Sequence, residues 1–358
     1  MSISERNDMQ KVCVIGCGRG ITHGLAYRDI AKVVGVCDTN PDHLSDALSK
    51  IQPTPIGYIN IHEMLDKEKP SILHIVTSPL IPRATWIPTV KRYDCIKVLV
   101  MEKPIALTPE QYDDFERNAQ DISFKIVINH QRRYFLAFRT LGYLIENNLL
   151  GNIKSVNIAC YGEPMEMGTH AFDIALMVNP NNPTGLMSTV WGNVLKYDPY
   201  YLCPDNIQTT LFYDNGMITN IFIGTDKVLN NETDGIRKER FTDNIYHYSN
   251  RASVVVSGTL GNYYWNEYGY WGYNVGNHHI KYQSDYFVDT PYAQTLLSVD
   301  NIRACNEDFD MPCSVNNALM GIRLLFASYK SAYKNKCLRN IDIISQDDYK
   351  KLLNNLRS

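Results

Sequence analysis

The 358-residue chain has no block of basic residues, and its formal net charge is only -3. Nothing in it is built to neutralise a run of phosphates, so no nucleic acid partner is expected. Its nine cysteines are odd in number and scattered, and none shows CxxC spacing. Neither a disulfide framework nor a zinc site is signalled; no metal is expected, and a reducing cytoplasm is the simplest home. The sequence has no stretch of about 18 consecutive apolar residues, and its leading MSISERNDMQ has no apolar core. The expectation is a chain with no signal peptide and no membrane span. Internal repeats and low-complexity tracts are missing as well.

What is present is ample apolar material, 44% of residues, in a chain long enough for two domains. The apolar run Ile96 to Met101 stops at Glu102-Lys103-Pro104. Such a run reads as a buried parallel strand whose carboxyl end delivers Lys103 to a crevice, which makes Lys103 the first candidate for chemistry. Nearer the start, the β-rich Lys11 to Ile15 enters Gly16-Cys17-Gly18-Arg19-Gly20, followed by helix-like Gly24 to Ile30. Glycines there allow a tight turn and a close approach to a pyrophosphate seated on the following helix N-terminus. A second strand, Lys32 to Cys37, ends in Asp38, at the spacing of a ribose-binding acid. A carboxylate accepts from both ribose hydroxyls and repels a 2′-phosphate, and Thr39 rather than Arg follows, so NAD is favoured over NADP. The alternative role for Asp38 is to cap a helix beginning near Pro41. The loop also departs from GxGxxG, since Gly20 comes one residue early and Ile21 stands where the third glycine belongs. Either the turn is one residue shorter or Gly20 serves close helix packing.

Strand and helix patterns continue to alternate: helix-like Ile61 to Lys67, strand Ser71 to Val76, the polar turn Thr77-Ser-Pro79, a helical segment at Pro88 to Arg92, a helix opened by Thr108-Pro109, and strand Phe124 to Ile128. The reading is an α/β fold, with a doubly wound, Rossmann-type dinucleotide-binding domain over residues 1–130. Arg83 is open to two readings, a fork for an anionic substrate group or an exposed arginine without partners. Residues 131–358 read as an α+β domain with a large, mostly antiparallel sheet. Its strands are Ile153 to Cys160, Leu186 to Val194, Ile207 to Tyr213, Met217 to Gly224 and Ala252 to Val256. The aromatic run Tyr263 to Tyr273 suits the open sheet face, as an interface, sheet-face packing or a sugar-stacking surface, and His278-His279 reads as a surface turn. Asn182-Pro183 and Asn230 to Glu239 read as loops, and Ser314 to Tyr333 as a helix behind a serine cap. In Gly168-Thr169-His170-Ala-Phe-Asp173 a helix is expected to start with Thr169 as its cap. His170 and Asp173 then share one helical face, able either to position a substrate hydroxyl or simply to hold each other.

Taken together, GCGRG with Asp38, Glu102-Lys103-Pro104, Arg133-Tyr134, Gly168-Thr-His170-Ala-Phe-Asp173 and Gly258-Thr-Leu-Gly261 resemble the Gfo/Idh/MocA oxidoreductases over roughly residues 10 to 340. The resemblance implies an NAD enzyme moving hydride to or from a hydroxyl-bearing carbon of a sugar, cyclitol or sugar derivative. It implies a cofactor site of Gly16, Gly18, Arg19, Gly20, Asp38, Thr77, Glu102 and Lys103. Lys103 matches the lysine that bonds the reacting hydroxyl and relays its proton, and His170 and Asp173 match substrate-contact positions. A homodimer or homotetramer formed through the sheet is implied too. Two departures stand out: Met177 occupies a position where many members carry a proton-transferring His or Tyr, and no histidine follows the Thr77 turn. The related readings are an NAD-retaining glycosidase-type enzyme and a non-catalytic dinucleotide-binding regulator of the same fold.

Overall fold

In the computed structural model, which describes residues 9–197, 201–224 and 252–357, the chain divides into two compact units. The first runs up to Leu107 and takes in Gln111–Tyr134 and Thr290–Leu319; the second holds Thr108–Glu110, Phe135–Asp289 and the chain from Met320 onward. A single boundary at 130/131 is expected from the sequence, whereas in the structure Thr290–Leu319 belongs with the first unit.

The first unit is built on six strands, β1 (Lys11–Ile15), β2 (Lys32–Cys37), β3 (Ile56–Tyr58), β4 (Ile72–Ile75), β5 (Val98–Met101) and β6 (Lys125–Ile128), in the order β3-β2-β1-β4-β5-β6. Every neighbouring pair is parallel. Parallel strands need helical crossovers, which cover both faces, so β4 and β5 are buried along their whole length. Two crossover helices start on asparagine caps: Asn40 accepts from the N–H groups of Asp42 and His43 ahead of Pro41–Lys50, and Asn60 from those of His62 and Glu63 ahead of Ile61–Glu68. The strand order reverses between β1 and β4, and there the backbones meet closely. A Cβ on Gly16, whose φ is +88°, would lie 2.6 Å from the Val76 carbonyl oxygen.

The strand ends beside that reversal are tied by Arg83. It is 1% exposed, which overturns the exposed reading. Its Nε donates to the Glu102 carbonyl (2.9 Å) and Nη2 to the Thr77 carbonyl (2.9 Å). Nη1 donates to Thr77 Oγ1 and the Ser78 carbonyl (both 3.0 Å) and to the Ile81 carbonyl (3.3 Å). All three nitrogens are spent on the protein, so the anion-binding reading is overturned as well. Burial lowers the guanidinium pKa to about 10, which still leaves it protonated at neutral pH.

The second unit carries an eight-stranded sheet: β7 (Ile153–Tyr161), β8 (Gly185–Tyr197), β9 (Tyr201–Phe212), β10 (Ile218–Gly224), β11 (Ala252–Gly258), β12 (Gly261–Asn266), β13 (Tyr270–Val275) and β14 (His278–Gln283). The order is β14-β13-β12-β11-β7-β10-β9-β8, antiparallel except where β7 meets β10. Inward Val156, Ile158 and Cys160 alternate with exposed or half-exposed neighbours, as one covered face requires. The helix Pro164–Val178 lies close on the covered face, where a Cβ on Gly168 would come within 3.2 Å of Ile223 Cδ1 on β10. The open-face expectation for the aromatic run fails for its largest members. Strand alternation turns Tyr263 and Trp265 into the core, where Trp265 meets the Phe138 ring at 4.8 Å and donates to Ser284 Oγ at 3.1 Å. His278 and His279 open an exposed strand rather than forming a turn. The expected loop Asn230 to Glu239 lies outside the described residues. Among the described residues no helix is long and apolar enough to cross a membrane.

Two substitutions test this account of the first unit. Arg83→Met leaves buried carbonyls unsatisfied and is expected to cost about 3 kcal/mol, read as a lower denaturation midpoint at unchanged slope. Gly16→Ala combines a positive φ with a backbone clash and should cost a similar amount, about 2–3 kcal/mol.

Candidate functional site

The glycine segment differs from its expected form, because the helix already begins at Cys17 and runs to Leu25. Gly18 and Gly20 therefore sit in the first turns of the helix, not in a loop ahead of it. Gly16 alone makes the turn, donating its N–H to the Cys37 carbonyl at 2.9 Å. A Cβ on Gly20 would stand 3.0 Å from Val14 Cγ1, so this glycine serves the close packing of helix on strand, one of the two alternatives left open by the sequence. Gly18 and Arg19 are exposed, and a Cβ on Gly18 would meet only the His43 ring, at 3.7 Å. Space thus lies over the helix N-terminus, where orphan N–H groups and the helix dipole favour an anion.

Asp38 stands at the end of β2 beside that turn. Its Oδ2 accepts from the Cys17 N–H at 2.6 Å and lies 3.6 Å from His43 Nδ1, while Oδ1 accepts from the Asn40 N–H at 2.8 Å. It does not cap the helix at Pro41; Asn40 does. An ionised carboxylate offers about four lone-pair positions, so two backbone bonds leave acceptor capacity for a ligand's hydroxyls. The group is held facing the turn and remains half-exposed.

Thr77 and Glu102 close the other side of the crevice, after β4 and β5. The Thr77 hydroxyl accepts from Arg83, so its side chain is partly committed to the clasp. The Glu102 N–H donates to the Ile75 carbonyl at 3.1 Å. Its carboxylate accepts from Asn129 Nδ2 and faces His23 Nε2 at 3.4 Å. Asn129 Nδ2 also donates to Gln294 Oε1 at 3.1 Å, which continues a buried polar line to the helix Tyr286–Ala304. Burial lowers the His23 pKa, opposed by the Glu102 charge and assisted by Arg19. Lys103 follows directly and is half-buried.

In the second unit, His170 and Asp173 lie on the helix Pro164–Val178 and are 5% and 1% exposed. The helix starts six residues before the expected position, with Pro164 in its first turn. Thr169 is therefore inside it and donates its hydroxyl to the Glu166 carbonyl at 3.1 Å instead of capping. Met177 is one turn beyond Asp173 and half-buried. The structure thus assembles Gly16, Gly18, Arg19, Gly20, Asp38, Thr77, Glu102 and Lys103 around the carboxyl ends of the first unit's strands. It places His170 and Asp173 together within the second. His23, His74 and Asn129 were missed in the sequence; only the parallel register, in which His74 pairs with Val100 two residues before Glu102, brings them to one place.

No family model matches the chain, and no curated protein matches it. Among solved structures the whole chain has clear likenesses. Levoglucosan dehydrogenase in complex with NADH and levoglucosan matches with a TM-score of 0.74 at 15% identity, covering 94% of this chain and 100% of that one. An oxidoreductase from Agrobacterium radiobacter in complex with NAD+, L-tartaric acid and magnesium matches at 0.73 and 14%, covering 93% and 98%. A super-repressor mutant of Gal80p from Saccharomyces cerevisiae matches at 0.75 and 13%, covering 94% and 100%. At these identities the likeness establishes a shared fold: a six-stranded parallel Rossmann-type sheet joined to a large, mostly antiparallel one, the architecture of Gfo/Idh/MocA-type oxidoreductase structures.

Proposed function

We propose that this protein is an NAD-dependent oxidoreductase acting on a hydroxyl-bearing carbon of a sugar, cyclitol or sugar derivative. The observation that carries the proposal is Asp38, held by the Cys17 N–H at the mouth of a glycine turn, at the point where the parallel strand order reverses. That is where open α/β sheets bind ligands, and a carboxylate there suits two ribose hydroxyls and disfavours a 2′-phosphate. The dinucleotide complexes among the structural neighbours support the same choice.

When bound, NAD supplies the hydride acceptor or donor. The chain's own residues take the remaining roles. Gly18 leaves the backbone open to a pyrophosphate, Gly16 and Gly20 shape the turn and seat the helix behind it, and the N–H groups of the Cys17–Leu25 helix would face its charge. Arg19 stands beside them as a cation, and Thr77 and Glu102 would border the nicotinamide end. Lys103 holds the reacting hydroxyl and moves its proton, a task suited to an ammonium next to a cationic ring. His170 and Asp173 orient the substrate, offering an imidazole and a carboxylate from one helix to its hydroxyls.

A second reading has two specific observations behind it. Met177 has no exchangeable proton, and a repressor mutant shares the fold. On that reading the chain binds dinucleotide without turnover and acts as a regulator.

Titration of purified protein with NAD and NADP separates these outcomes from failure of the whole proposal. NAD should bind more tightly than NADP. Asp38→Ala should weaken NAD about 10–100-fold and erase the preference, because charge-assisted hydrogen bonds worth about 1.5–3 kcal/mol are lost. Binding of neither dinucleotide sinks both readings. With a panel of sugars and inositols followed at the nicotinamide absorbance, Lys103→Ala should lower the rate about 100-fold or more at unchanged NAD affinity. Dinucleotide binding with no turnover on any polyol leaves the regulator reading standing.

A further inference from the structure

Behind the glycine turn, three chemically matched side chains of the first unit converge, two of them histidines with no role in the proposed reaction and the third Glu102, whose residue also borders the crevice. They are His23 on the Cys17–Leu25 helix, His74 on β4 and Glu102 just after β5. One ligand atom from each, a ring nitrogen from both histidines and a carboxylate oxygen, lie within 4.8 Å of one another. The two imidazoles meet edge to face with centroids 4.6 Å apart.

His74 is the unusual member. It is 0% exposed, in the middle of a strand that is otherwise Ile72, Leu73 and Ile75. Both its ring nitrogens are buried with no hydrogen-bond partner among the described residues, and His23 Nδ1 is in the same condition. A neutral imidazole carries one donor and one acceptor, and each left unsatisfied in a dry interior is a penalty that an apolar side chain would avoid. Burial lowers the pKa of both rings, which favours the neutral form that offers a lone pair. Neutral imidazoles and an ionised carboxylate are the forms that bind metals.

We propose that His23, His74 and Glu102 form a binding site for one divalent transition-metal ion of the zinc class. Two imidazole nitrogens with one carboxylate oxygen form a donor set that suits zinc far better than magnesium or calcium. His23 Nε2 and Glu102 Oε1 are 3.4 Å apart, already the separation of neighbouring ligands on a tetrahedral ion with bonds of about 2.0–2.1 Å. His74, with its ligand atom within 4.8 Å of the other two, supplies the third donor. The carboxylate ligand is braced from outside: Asn129 donates to it, and Arg83 fixes the backbone of its residue. Three protein ligands leave one tetrahedral position for water or another oxygen donor. An ion here ties the first helix to β4 and β5 and thereby stiffens the crevice whether or not a dinucleotide is present.

The test uses the full chain, stripped with a chelator, incubated with micromolar Zn2+, desalted and analysed for metal by mass spectrometry. The expected result is one zinc per chain, lost at least tenfold in His74→Met and retained when the exposed pair His278 and His279 are both changed to alanine. His74→Met replaces a buried polar ring with an apolar chain and should keep the circular dichroism of the metal-free protein. Because nine cysteines offer competing ligands, Co2+ loading of the unaltered chain gives an independent readout. Ligand-field bands without a thiolate charge-transfer band support the site even if the variant misfolds. Failure to retain zinc, retention in a folded His74→Met, or a thiolate band overturns it.

Discussion

A single buried guanidinium holds the ligand end of the first unit together. Arg83 donates to the carbonyls of Thr77, Ser78, Ile81 and Glu102 and to the Thr77 hydroxyl. Withdrawing a cation from water is costly, and here the cost is offset by partners for every nitrogen instead of by an acid alone. That choice has a structural result. Carbonyls at the ends of two neighbouring strands are satisfied by one rigid planar fork, so the turn after β4 and the end of β5 cannot drift apart independently. Thr77, Glu102 and, one residue on, Lys103 inherit their placement from it.

The same end of the sheet shows a division of labour among glycines. Gly16 makes the turn, Gly20 admits Val14 of β1, and Gly18 keeps the surface over the helix N-terminus clear. With the closer packing achieved at Gly20, the helix starts one residue after the turn, and the spacing that departs from GxGxxG is compatible with the usual roles. Asp38 then binds the first helical N–H, which couples the acid to the turn. A substitution in the turn therefore disturbs the carboxylate too, and effects at Gly16 and Asp38 are not expected to add as independent sites do.

Much of the first unit was legible because parallel strands covered on both faces are continuous apolar runs, and the residues at their ends stand out as polar interruptions. Asp38, Thr77 and Glu102-Lys103 stand out in that way as residues that follow strand ends. Arg83 was misread because a sequence shows its charge but not the carbonyls that the fold turns toward it. The start of the helix Pro164–Val178 was missed because Pro164-Met-Glu-Met carries no side-chain cap, whereas Thr169 imitates one. The helix Tyr286–Ala304 escaped notice for a different reason. Its buried face includes Gln294, Ser298 and Asn301, so apolar periodicity, the main signal of a helix, is broken where the helix is most buried. The aromatic run carries no strand bounds in the sequence reading, and its open-face placement differs from the structure because which alternate residues of a strand point inward depends on what packs above them.

That polar helix face is part of one seam. Asn301 Nδ2 donates to the Tyr27 hydroxyl at 3.0 Å, and Gln294 accepts from Asn129, which in turn donates to Glu102. Apolar residues in these positions would pack without desolvating amides and a carboxylate, so the seam is a poor means of gaining stability. It is a good means of fixing register. The helix Tyr286–Ala304 can satisfy Tyr27 and Asn129 together in only one rotation and one axial position, whereas a smooth apolar stripe would tolerate sliding by a turn. Glu102 is the member of the seam that reaches the crevice. Its carboxylate is thus aimed from below by a buried network and its backbone from the side by Arg83, and neither constraint requires a ligand to be present. A side chain held that firmly before any ligand arrives would lose little freedom on binding one.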